Sequence, residues 1–170
     1  SLAQALPAKE LTTLIQPQID LHSGRMIGGE VLLRWNHAGK FIPPSEFIPI
    51  AEQSALIHKI GQAVIDQTFA ALAALTQAGR EDLTLSINVS PREFENEDYV
   101  TALLARCAAA GIPPSRIELE LLETAAMTHF DRICGQLNQF RQAGGSVAID
   151  DFGTGMSSLA YLMELPHDRI

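Results

Sequence analysis

The sequence predicts an α/β fold built from repeated strand–helix units, arranged as a barrel or a doubly wound sheet. Three observations carry that prediction. A helix-like segment, a glycine stop, an apolar strand and a polar strand end follow one another three times. The polar ends, Asn88, Glu120 and Asp150, hold equivalent places in the repeat, 32 and 30 residues apart. The stretch "SVAIDDFGTGMSSLAYL" (146–162) then sets a short strand before two adjacent carboxylates, a glycine-punctuated turn and a helix-like segment. Asp150 and Asp151 are thereby placed at the C-terminal end of a strand, where α/β folds handle ligands and metals. The competing account makes these aspartates caps of the next helix, but three polar strand ends converging on one rim are harder to explain as separate caps.

In chain order, residues 1–12 read as a short helical lead-in with Leu2, Ala5 and Leu6 on its apolar side. "LIQPQIDL" (14–21) and "MIGGEVLLRW" (26–35) alternate and flank a His22–Arg25 turn, the pattern of a hairpin. Glu30 sits in the second of these strands beside Val31, Leu32 and Leu33. A carboxylate among apolar strand residues needs a partner; Arg34 shares its face, so an ion pair competes with a functional role.

Residues 36–53 read as a proline-marked loop entering a short helix at Pro43-Pro44-Ser45. Residues 55–78 carry Ile57, Ile60, Val64, Phe69 and Leu72 at helical spacing and end at Ala78-Gly79. "DLTLSINVS" (82–90) alternates, with Asn88 on its polar face. A helix over 96–110 presents Val100, Leu103, Leu104 and Cys107 and stops at Gly111. "RIELELLE" (116–123) is a strand with Glu118 and Glu120 on one face. A third helix over 127–143 buries Ile133, Leu137 and Phe140 and ends at Gly144-Gly145.

With 170 residues, 46% of them hydrophobic, the chain has the size and composition of one ordinary globular domain. A net charge of −8 repels polyanions, so nonspecific nucleic-acid binding is not expected. Cys107 and Cys134 lie in helix-like segments and read as thiols of a reducing, cytoplasmic compartment. No apolar run reaches membrane-spanning length, although a parent protein carrying a membrane anchor is compatible with this chain.

The five histidines are scattered without zinc spacing, and no nucleophile elbow, phosphate-loop lysine or dinucleotide glycine pattern occurs. The "DFG" at 151–153 lacks every other kinase element. What remains is an all-oxygen set, Glu30, Asn88, Glu120, Asp150 and Asp151, which suits Mg²⁺ or Mn²⁺.

Six segments then occur in a familiar order and spacing: "QPQIDL", "GGEVLLRW", "FIPIAE", "INVSPREF", "ELLET" and "AIDDFGTGMSSLAYL". Together they resemble the EAL-domain family, the phosphodiesterases acting on the bacterial second messenger cyclic di-GMP. The resemblance implies a TIM-like (β/α) barrel whose first strand is antiparallel to the rest. It implies that Glu30, Asn88, Glu120 and Asp150 are metal ligands and that Asp151 serves a second metal and its water. Gln16 and Arg34 match substrate contacts, and Glu123 matches a glutamate that stabilises a loop. The implied reaction is metal-assisted hydrolysis of one phosphodiester bond to linear pGpG, with two Mg²⁺ or Mn²⁺ ions.

Departures from the family pattern are Val31 for its alanine, Leu122 and Thr124 beside Glu123, and Met156 for a tyrosine. The chain stops at "LPHDRI", where family members continue into a Lys-Ile-Asp strand. Residues 1–170 are therefore expected to be the N-terminal portion of such a domain, with about five of eight strands. Alone, that portion is expected to be inactive or nearly so and to complete itself as a homodimer or swapped assembly. A sensory or GGDEF domain upstream in the parent protein fits the same resemblance. The alternative function is a degenerate domain serving as a cyclic di-GMP receptor or protein-interaction module.

Overall fold

The structure, a computed structural model, describes residues 2–6, 8–122, 130–150 and 168. The fold is α/β with a mixed sheet arrangement, and the chain divides into two compact units, Ser1–Ile87 and Asn88–Ile170.

In the first unit a short helix α1 (Leu2–Ala5) precedes an antiparallel hairpin of β1 (Leu11–Ile19) and β2 (Met26–His37). The helical lead-in expected through residue 12 is shorter than its apolar pattern implied. Lys9 adopts a left-handed φ of 55°, while the N–H of Glu10 donates to Ala5 O and that of Lys9 to Leu6 O. This is a Schellman-type stop with lysine in the position glycine usually takes, and it frees Leu11 and Thr12 to join β1.

The odd-numbered backbone groups of β1 face away from β2. Gln67 occupies two of them: its Oε1 accepts from Thr13 N–H at 2.8 Å and its Nε2 donates to Leu11 O at 3.3 Å. Pro17 has the same parity, so its missing N–H removes no bond to β2. A helix side chain and a proline thus blunt part of the strand edge.

One element escaped the sequence reading here. Strand β3 (Lys40–Ile42) pairs antiparallel with β2 through a two-residue turn in which Ala38 (φ 51°) and Gly39 (φ 79°) are both left-handed. Such turns usually announce themselves by Asn-Gly or Asp-Gly, and alanine at positive φ leaves no such mark. Helix α2 (Pro44–Glu52) starts on Pro44 at its first turn, as expected, and α3 spans Leu56–Gln77. Within α3 the buried stripe is Ile57, Ile60, Ile65, Thr68 and Leu72, while Val64 and Phe69 are only half-buried.

The core of this unit gathers Leu2, Leu11, Trp35, Phe47, Ile57 and Ile60. The indole of Trp35 meets Phe47 edge-on at 5.5 Å, and its Nε1 donates to Glu10 Oε2 at 2.9 Å. Those hydrogen bonds, from Trp35 and then from His37, hold the Glu10 carboxyl below its usual range.

Strand β4 (Thr84–Asn88) lies parallel to β2, with Glu30 level with Ser86 and Val31 level with Ile87. A β-carbon added to Gly28 would stand 2.3 Å from the Thr84 carbonyl oxygen, a backbone atom with no room to yield. Gly28→Ala is expected to destabilise the protein by about 2–3 kcal/mol through overpacking, measured as a lowered urea midpoint; an unchanged midpoint would show that the two strands part without cost.

In the second unit a 3₁₀ turn over Pro91–Glu95, capped by Ser90 Oγ, leads to α4 (Tyr99–Ala110), which ends on a left-handed Gly111. A further 3₁₀ turn (Pro114–Arg116) enters β5 (Ile117–Leu122). Helix α5 (Phe130–Gln142) and β6 (Ser146–Asp150) follow. The expected helix start at 127 lies outside the described residues, whereas Ile133, Leu137 and Phe140 are fully buried as their spacing predicts.

Strands β5 and β6 are parallel, Glu120 level with Ala148 and Leu122 level with Asp150. Residues 117–121 of β5 are buried on both faces, the usual condition of a parallel strand. Gln136 on α5 ties the elements together: its amide donates to the carbonyls of Phe94 and Asn96 and accepts from Val100 N–H. Asp168 exchanges hydrogen bonds with the Val147 backbone and binds the Arg141 guanidinium through both of its carboxylate oxygens.

Candidate metal and substrate site

In the first unit, strand alternation sorts the residues into two faces. Ile15, Val31, Leu33 and Trp35 share the face that carries the helices, and Val31 is only 3% exposed. Gln16, Glu30 and Arg34 share the other: Gln16 is directly opposite Glu30, and Arg34 follows Glu30 by four positions. Glu30 and Arg34 are half-buried and Gln16 is exposed. The valine standing where the family pattern has alanine therefore packs into the core and does not touch the face that bears Glu30.

Arg34 Nη1 donates to the Leu33 carbonyl at 2.9 Å, and its guanidinium carbon stands 6.0 Å from the centre of the Phe41 ring. That is cation–π range. Phe41 belongs to β3, the strand that left no turn signature, which is why its place beside Arg34 was not legible beforehand.

In the second unit, Asp150 ends β6 and is exposed, whereas Glu120 is 6% exposed. The register puts Glu118, Glu120, Ala148 and Asp150 on one face of the β5–β6 pair. Glu120 and Asp150 are one strand apart and two residues along, about 8 Å between α-carbons from standard strand spacings. Asn88 adjoins them through the backbone: the next residue, Val89, donates its N–H to Glu120 O at 2.9 Å. Within the second unit, Asn88 is thus held next to the level of the buried glutamate.

Asp151 and Glu123 lie outside the described residues. Among the described residues no three His, Cys, Asp or Glu side chains gather closely enough to hold a metal ion. The donor chemistry itself, carboxylates with one amide oxygen, fits hard divalent cations.

A second acidic group in this unit was not singled out from the sequence, although it lies within "INVSPREF". Glu93 is 5% exposed, and burial pushes its carboxyl up to about 8, against the opposing pull of a hydrogen bond from Ser90 N–H. Burial first, and the neighbouring Glu93 second, also push the Tyr99 hydroxyl well above 10. Cys107 is buried and its thiol is raised by burial, so it behaves as a small core residue. No described helix is long and apolar enough to cross a membrane.

The sequence profile of the EAL domain matches residues 1–170. The chain belongs to the EAL domain family. Among curated relatives it is 36% identical to the bifunctional diguanylate cyclase/cyclic di-GMP phosphodiesterase MucR of Pseudomonas aeruginosa, over 99% of this chain and 25% of that protein. It is 34% identical to the cyclic di-GMP phosphodiesterase NbdA of the same organism, over 99% of this chain and 22% of that one. The EAL chain thus spans about a quarter of the length of these relatives.

Solved EAL domains share the fold. The PaMucR phosphodiesterase in complex with c-di-GMP superposes with a TM-score of 0.91 at 36% identity, covering 98% of this chain and 68% of that one. The FimX EAL domain from Pseudomonas aeruginosa bound to c-di-GMP gives 0.86 at 25% identity, covering 98% and 67%. The TIM-like barrel architecture read from the six motifs is the one these EAL domains have.

Proposed function

We propose that this chain carries metal- and substrate-binding residues of a phosphodiesterase that hydrolyses cyclic di-GMP to linear pGpG. The observation that carries the reading is the shared face of Glu120, in β5, and Asp150, the last residue of β6, with Asn88 tied beside Glu120, in a chain of the EAL family. Glu30, Asn88, Glu120 and Asp150 hold divalent ions, Mg²⁺ or Mn²⁺, and Asp151 serves the second of two. When bound, the ions polarise the phosphoryl oxygens and lower the pKa of a water.

The chain's own groups do the rest. Gln16 and Arg34 position the substrate, the guanidinium neutralising a phosphodiester that the acidic protein would otherwise repel. Glu123 stabilises the loop that follows β5. In hydrolysis the water oxygen bonds to phosphorus as the bond from phosphorus to the 3′ oxygen breaks. The leaving oxygen takes up a proton, so the linear product keeps a 5′ phosphate. Pairing into a homodimer or swapped assembly, and an attached sensory or GGDEF domain, belong to the same reading.

The test is turnover by the full-length protein with cyclic di-GMP, in Mg²⁺ or Mn²⁺ and in excess EDTA. Linear pGpG appearing only with the divalent ion is expected. Tight binding without product under every metal condition would overturn the enzyme in favour of a receptor.

A further inference from the structure

We propose that Phe41 is a nucleobase-stacking residue: with Arg34 it forms the part of the site that takes one guanine of the substrate. The inference rests on the cyclic di-GMP reading above and names a residue outside the metal-ligand and phosphate-contact sets.

The geometry begins with unequal strand lengths. Strand β2 is 12 residues long and β4 only five, and their paired residues end at Val31 and Ile87. Beyond that level β2 continues to His37 and takes β3 as its partner, with Trp35 opposite Ile42, Asn36 opposite Phe41 and His37 opposite Lys40. Trp35 is in the core, so Asn36 and Phe41 stand on the opposite face, the one that bears Glu30 and Arg34. The β2–β3 hairpin therefore extends the substrate-bearing face past the end of β4.

Phe41 is 53% exposed there, while Phe47, Phe94 and Phe140 are fully buried. Its ring lies beneath the Arg34 guanidinium. It sits about 7 Å along the strand from the level of Arg34, comparable to the span from phosphate to base within one nucleotide. Cyclic di-GMP pairs anionic phosphodiesters with flat purines. An arginine for the phosphate and an aromatic face for the base, two residues apart in register, match both halves of one nucleotide.

The test is steady-state hydrolysis of cyclic di-GMP by the full-length protein carrying Phe41→Ala, Phe41→Leu or Phe41→Tyr. Phe41→Ala and Phe41→Leu are expected to raise KM about tenfold or more, with the loss in KM and not in kcat. Phe41→Tyr keeps the ring and is expected to stay within about twofold of wild type. Leucine preserves apolar bulk, so it carries the test if alanine disturbs the hairpin. An unchanged KM in Phe41→Leu, with an active wild type, would overturn the stacking role and leave the phosphodiesterase reading intact. A wild type that neither binds nor cuts cyclic di-GMP would overturn both.

Discussion

Glu30→Gln is expected to lower kcat for cyclic di-GMP hydrolysis by roughly 10²–10³-fold, the loss of several kcal/mol of metal-centred charge stabilisation. The substitution keeps the shape of the side chain and removes the charge proposed above to hold a divalent ion. Glu30 is half-buried on the face opposite the core, level with Ser86 in β4 and directly opposite Gln16 in β1. Its replacement leaves Val31, Trp35 and their packing in place, so melting in EDTA should match wild type. A second reading isolates the metal. A divalent ion that binds only the folded protein raises its Tm with concentration, and Glu30→Gln is expected to weaken that rise. Full activity in Glu30→Gln would remove the residue from the metal set, whatever the substrate proves to be.

Glu93→Gln is expected to stabilise the protein at pH 8–9 by on the order of 3 kcal/mol, or ~6 °C or more in Tm. The cause is burial: the carboxyl, ordinarily near 4.5, titrates at about 8 in the folded chain. Because the folded value is raised, the neutral form is the one the fold accommodates. Its stabilising advantage is complete below about 4.5, declines as pH rises, and is gone above about 8. Glutamine keeps the neutral form at every pH. Wild-type stability should thus slope downward between pH 5 and 8 relative to Glu93→Gln, and the two curves should meet at low pH. Among the described residues, the other shifted groups do not compete in that window. Glu10, Asp20 and Asp82 are lowered from ordinary carboxylate values, and Tyr99 and Cys107 are raised from values of 10 and 9. Chemical denaturation of both proteins at pH 5, 6.5, 8 and 9 measures the difference; parallel curves would mean that Glu93 is ionised in the folded state without cost.

Elements with strong periodicity were legible and weakly marked ones were not. Ile133, Leu137 and Phe140 fall on one helical stripe, and all three are fully buried. Gly111 closes α4 in the left-handed conformation that only glycine takes up easily. By contrast, the Ala38-Gly39 turn hid β3, and Lys9 in a glycine-like position hid the early start of β1. In α3, Ile65 and Thr68 are buried where Val64 and Phe69 were expected. A 22-residue helix packed against a twisted sheet lets its contact stripe drift, and 3.6-residue periodicity alone cannot assign that drift.

Family membership and the α/β class were readable from the chain's residues alone, which also nominated Glu30, Asn88, Glu120 and Asp150 as candidate oxygen donors. Those properties reside in residue types and in their spacing along the chain. Tertiary structure decided which residues share a face and which are shielded from water. Strand register set Gln16 across from Glu30, put Glu120 and Asp150 on one side of β5–β6, and turned Val31 into the core. Packing of the 3₁₀ turn against α4 and α5 made Glu93 a buried acid, and an unannounced hairpin brought Phe41 under Arg34. Register and burial arise from pairings between residues distant in sequence, and no local pattern encodes them.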